Sequence, residues 1–117
     1  EESAMAGEIA RTLQAMSGLK VPTVSCIVGQ GCGGAALALV PARQVICMEN
    51  AWVSPLPPEG ASVISYRTPV RAEEVARTQG VGAAAMRESD VVDQVVGEGP
   101  DLASSVADAV VRALVGR

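Results

Sequence analysis

The chain has 117 residues, 49% of them hydrophobic and 19% charged, with a net charge of −4. That length holds one domain with a modest core, and the hydrophobic share excludes a chain that is disordered by composition. Acids and bases are interspersed, with no basic stripe or stacking platform for nucleic acid, and no apolar run reaches bilayer length; the expected location is the cytoplasm, away from membranes. Trp52 and Tyr66 are the only aromatics, so the core has to be aliphatic.

Taken in order, the chain opens on an amphipathic pattern. Met5, Ile9, Leu13 and Met16 recur at helical spacing and predict a helix from Glu1 whose apolar stripe packs into a core, with Gly18 as its stop. Thr23 to Val28 is β-branched and apolar and reads as a buried strand. Glycines follow, then a short helix from about Gly34 to Val40 that must end before Pro41. Gln44 to Met48 reads as a second strand. Ala51 to Gly60 carries Pro55, Pro57 and Pro58 and is expected to be irregular. Ala61 to Tyr66 fits a short helix or a strand. Arg71 to Gln79 is helical, closed by Gly80, with Glu73 and Arg77 as an ordinary i,i+4 pair. Ala83 to Glu88 is a further short helix, Val91 to Val96 a last strand, and Leu102, Val106, Val110 and Leu114 form the stripe of a final helix. A chain that opens without methionine, on a bare amphipathic helix, suggests part of a longer polypeptide or a subunit that needs a partner.

The chemistry concentrates in "GQGCGG", Gly29 to Gly34. Crowded glycines between a strand and a helix bring backbone N–H groups close to something negative. Gly29, Gly31 and Gly34 match G-x-G-x-x-G, and Glu49 falls near the end of the next strand, so a dinucleotide-binding βαβ unit is one reading. Pro41 cuts the helix short for that unit. No Lys follows the glycines, which excludes a phosphate-binding P-loop. The chain has no histidine and three cysteines, Cys26, Cys32 and Cys47, with no C-x-x-C pairing. Zinc binding and thiol activation by histidine are both disfavoured, and three reduced thiols on or near buried strands are expected.

Three stretches in order, "IARTLQAMSGLKVPTVSCIVGQGCGGAALAL", "ENAWVSPLPPEGASVI" and "VVDQVV", resemble the carboxyltransferase alpha subunit of acetyl-CoA carboxylase and the alpha-like half of fused acyl-CoA carboxyltransferases. That family reads "LKVP", a strand, "GEGGSGGALAL", a strand ending "EN", and "SPEG". The glycine stretch aligns without gaps: Gln30 stands for Glu, Cys32 for Gly, Gly33 for Ser and Ala35 for Gly. The resemblance runs from about Ile9 to Val96.

The resemblance implies an α/β, crotonase (ClpP-like) fold of repeated ββα units, with residues 1–117 an incomplete C-terminal portion that lacks a preceding β/α segment. It implies transfer of a carboxyl group from carboxybiotin on a carrier to an acyl-CoA. The partners would be a beta-type half that holds the CoA thioester, the biotin carboxyl carrier, and further copies in an oligomer. The resemblance gives Gly33, Gly34 and Ala35 as backbone donors to a transient oxyanion, with Gly29 and Gly31 letting the chain turn and approach. Pro58, Glu59 and Gly60 would shape a turn near the biotin entrance, and Glu49 and Asn50 would pin the strand end. No resident metal is implied in this chain. A malonate decarboxylase gamma-like subunit, or a non-catalytic scaffold half with a drifted loop, are the other readings.

Overall fold

The computed structural model describes residues 2–115, so the expected helical start at Glu1 lies outside the described residues. Helix α1, Glu2–Gly18, leads into strand β1, Val24–Ile27, then β2, Gln30–Cys32, and helix α2, Gly33–Leu39. Strand β3, Gln44–Met48, is followed by β4, Trp52–Ser54, and helix α3, Pro58–Tyr66. A 3-10 turn, Pro69–Arg71, enters α4, Ala72–Gln79; then come α5, Ala83–Glu88, strand β5, Gln94–Val96, and helix α6, Leu102–Val115.

Two successive ββα units are visible in that order. The first strand of each unit, β1 and β3, pairs in parallel, and β5 extends that sheet to the order β1-β3-β5. The second strand of each unit, β2 and β4, pairs in parallel in a separate two-stranded sheet. Each turn of chain thus stacks one strand on each sheet, the superhelical arrangement the resemblance implies.

Strand β3 is the centre of the core. Val45, Ile46, Cys47 and Met48 are all buried, as a central parallel strand covered on both faces should be. Ile27 of β1, Val96 of β5, Met86 of α5 and Ala109 of α6 join the same cluster. Side-chain acceptors lock the sheet at both ends. The Asp93 Oδ2 accepts from the Val45 N–H at 2.8 Å, while the Asp93 N–H donates to the Val45 carbonyl at 2.9 Å. At the other end the Glu49 N–H donates to the Val96 carbonyl at 3.0 Å, and the Glu49 Oε1 accepts from the Glu98 N–H at 2.7 Å. The expected pinning of the strand end therefore falls to Glu49.

Several expectations hold: α1 stops at Gly18, β3 spans Gln44–Met48, α5 spans Ala83–Glu88, and Gly80 closes α4 at φ 64. The exposed Glu73–Arg77 pair forms at 3.5 Å. Others need correction. The glycine stretch is not all loop, because Gln30–Cys32 is a strand, and the proline-rich stretch contains strand Trp52–Ser54. Pro58, Glu59 and Gly60 form the first turn of α3 rather than a separate turn; proline at the first helical position loses no hydrogen bond there. The stripe of α1 is only partly core: Ile9 and Met16 are half-buried, but Met5 is 63% and Leu13 42% exposed. In α6, Leu102, Val106 and Val110 of the expected stripe pack against the core beside fully buried Ala109, while Leu114 is exposed.

Candidate functional site

The glycine-rich segment is held by the unit that follows it. The Trp52 N–H donates to the Gly29 carbonyl at 3.1 Å, and the β2–β4 register sets Gln30 beside Trp52, Gly31 beside Val53 and Cys32 beside Ser54. Ser54 is fully buried, and its hydroxyl donates to the Leu56 carbonyl. Behind β2, α2 is fixed at its far end by the Ser25 hydroxyl, which donates to the Leu39 carbonyl at 2.6 Å.

The glycines have different reasons to be glycine. Gly31 is demanded by packing: a Cβ there would stand 3.2 Å from Val53 Cγ2 and 3.4 Å from Ala36 Cβ. Gly33 takes φ 81, a left-handed backbone that L side chains rarely adopt. Gly34 lies against α1, with Ile9 Cδ1 3.4 Å and Cγ2 3.5 Å from where its Cβ would be. Gly29 has open space around it and contributes its carbonyl to Trp52. Gly31 therefore serves close strand packing, and the dinucleotide reading loses the free glycine loop it needs.

The result is an extended residue, Cys32, running into the N-terminus of α2 with no side-chain cap. The first amides of a helix have no partner within it, and they carry the positive end of the helix dipole. Gly34 and Ala35 are exposed, so the structure brings Gly33, Gly34 and Ala35 together as an accessible, pre-set cluster of N–H groups at the strand-to-helix junction. Gly29 and Gly31 lie on the strand side of that junction.

A cleft of about 800 Å³ adjoins this segment. Gln30 and Cys32 form one wall; Pro58 and Glu59 at the start of α3 form another, so these two predicted residues and the glycine strand face one space. Gly60 is half-buried in the same turn of α3. Trp52 also lines the cleft. Sequence alone assigns Trp52 no role: its place beside Gln30 comes from strand register.

The three thiols differ. Cys47 is fully buried and Cys26 half-buried, and burial pushes both thiols upward. Cys32 is exposed at the helix start, correcting the expectation that all three sit on or near buried strands. Among the described residues no three His, Cys, Asp or Glu side chains gather as a metal site, and no helix is long and apolar enough to cross a membrane.

Stacked ββα turns with helix-terminal amides at the junction define a crotonase-type fold. The transcarboxylase 12S structure with hydrolysed methylmalonyl-coenzyme A bound superposes with a TM-score of 0.75 at 21% identity, covering 91% of this chain and 20% of that one. The family model for acetyl co-enzyme A carboxylase carboxyltransferase-like proteins matches residues 1–116, and the chain belongs to that family. It is 46% identical over 103 residues to a Mycobacterium tuberculosis protein named as a probable biotin-dependent acyl-coenzyme A carboxylase beta3 subunit, covering 88% of this chain and 21% of that protein. It is 38% identical over 114 residues to a Deinococcus radiodurans protein named as an acetyl-coenzyme A carboxylase carboxyl transferase subunit alpha, covering 97% and 36%. The chain thus spans about a fifth to a third of the length of these relatives.

Proposed function

We propose that this chain is the alpha-type portion of a carboxyltransferase that moves a carboxyl group from carboxybiotin to acetyl-CoA or a similar acyl-CoA. The observation that carries the reading is the uncapped, exposed N-terminus of α2, reached through a glycine at φ 81, in a chain of the carboxyltransferase family.

Carboxybiotin breaks its N–C bond to release carbon dioxide, and the bonding pair remains on the ureido group as an anion. The anion takes the α-proton of the thioester, and the resulting enolate attacks carbon dioxide to form the new C–C bond. Two oxyanions develop, one on the ureido and one on the thioester. Fixed amide donors stabilise such charge without reorganising as it forms. The N–H groups of Gly33, Gly34 and Ala35 supply them for the ureido oxygen. Because biotin itself serves as the base, the lack of histidine is no obstacle. Glu59 and Pro58, with Gly60 behind them, border the biotin approach, and Gly29 and Gly31 hold the junction in place.

The biotin is covalently carried by a partner, and the CoA thioester is held by a beta-type half; both belong with this chain in a cytoplasmic, oligomeric complex that serves fatty acid biosynthesis through malonyl-CoA. Ala35 keeps the N–H of the family's glycine and adds a methyl group, which alters the shape of the pocket and leaves the donor.

Calorimetric titration of the assembled protein is expected to show binding of acyl-CoA and of biotinylated carrier, and carboxyl transfer between them. Tight NAD binding abolished by changing Glu49 would overturn this in favour of a dinucleotide site. Malonyl-CoA decarboxylation without carboxyl transfer would assign a decarboxylase subunit, and binding without either reaction would assign a scaffold.

A further inference from the structure

Trp52 stands out because it is not among the hydrophobic side chains packed into or against the core cluster. It is half-buried, it is the only tryptophan of the chain, and it lines the large cleft beside the glycine segment. Its backbone is unusually well fixed for a residue at a cleft wall. The amide holds the Gly29 carbonyl, the residue pairs with Gln30 in the parallel ladder, and it makes an antiparallel bridge to Gly82 on the other side. A large, flat, two-torsion side chain on such a support loses little freedom when a ligand settles against it.

The surrounding groups say what that ligand is. Ala72, Ala76 and Ala83 are small residues of the same lining. Gln30 and Asn50 contribute carboxamides, which can both donate to and accept from a urea. Charge completes the selection. The cleft carries the carboxylates of Glu49, Glu59 and Glu73 against the single guanidinium of Arg77, and Arg77 is already paired with Glu73 at 3.5 Å. Two acidic side chains are left over, so the multiply charged phosphates of coenzyme A are repelled far more than a fused-ring urea with an apolar flank that carries at most a single carboxylate.

Resting on the carboxyltransferase reading, we propose that Trp52 is a specificity-determining residue of this site: its indole is the wall against which the biotinyl ring system packs, and it sets affinity for biotin and not for the acyl-CoA.

The test is steady-state kinetics of the assembled carboxyltransferase with free biotin as the acceptor in the reverse direction. Trp52→Ala should raise KM for biotin roughly tenfold, the scale of a lost aromatic contact, while kcat at saturation falls far less and KM for the acyl-CoA is the parameter that does not follow. Trp52→Phe should recover most of the affinity, with melting temperatures showing that both variants fold. An effect on KM for acyl-CoA, a fall confined to kcat, or no effect beside an active wild type would each overturn the assignment. If the wild type transfers no carboxyl group, the underlying reading fails by itself, and fluorescence still decides the ligand. The wild-type minus Trp52→Phe difference spectrum isolates this indole; a saturable change with free biotin and none with coenzyme A supports the proposal, and the reverse or no change overturns it.

Discussion

Gly34→Val is expected to lower carboxyl transfer by the amount associated with losing one oxyanion donor, on the order of 10²- to 10³-fold in kcat. The geometry explains the size of the effect. A bare Cβ at Gly34 would already be in contact with the Ile9 side chain at 3.4 Å and 3.5 Å, so the two further methyl groups of valine have to displace that side chain and crowd α1 against the first turn of α2. That crowding shifts the amides of Gly34 and Ala35, and catalysis by fixed donors tolerates little displacement. Cys32→Ser should keep most activity, because the thiol has no assigned role and caps nothing. Ala35→Gly restores the family's residue and should be tolerated or improve access. Rates of carboxylation measured with circular dichroism as a check on folding separate these cases. An inactive Cys32→Ser beside an active Gly34→Val would mean that the thiol does the chemistry and the amides do not.

The contrast between these variants also marks what the sequence could show. A strand followed by glycines and a short helix is a local pattern, and so a helix start near Gly34 was legible from the glycines and the stop at Pro41, while Gly33, Gly34 and Ala35 as the donors came from the family resemblance. Strands β2 and β4 were not. Each is three residues long, too short for alternation to register. One of them contains a glycine and the other is followed by prolines. Their reasons to be extended are distant in sequence: Gln30 pairs with Trp52 across more than twenty intervening residues, and Trp52 bridges Gly82. The helix start at Pro58 was hidden for a related reason: two adjacent prolines look like an interruption until the second is seen to occupy the first helical position, where its fixed φ is an advantage. The place of Trp52 in the cleft could not be read without the β2–β4 register, because that pairing carries it to the glycine segment.

The described chain by itself is expected to associate or aggregate when expressed without the rest of its assembly. Its surface carries apolar side chains in neighbourhoods rather than singly. On α3 and just after it Val63, Ile64, Tyr66 and Val70 are 48%, 71%, 43% and 86% exposed, and on α6 Val111, Leu114 and Val115 are 58%, 41% and 79% exposed. Met5 and Leu13 on α1 add a third such face. Soluble monomers rarely leave contiguous apolar areas of this kind open, and where they occur they mark surfaces that another chain or domain covers. The sheet adds a second hazard. Among the described residues strand β1 is paired only on the side of β3, so its other edge presents N–H and C=O groups that can template a further strand. Analytical ultracentrifugation of the isolated segment should show oligomers or heavier, polydisperse species, and thermal unfolding should be broad. Sedimentation as a single monomer with a sharp melting transition would show that these faces need no partner, and the apolar side chains on α3, α6 and α1 would then have to be explained by something other than assembly.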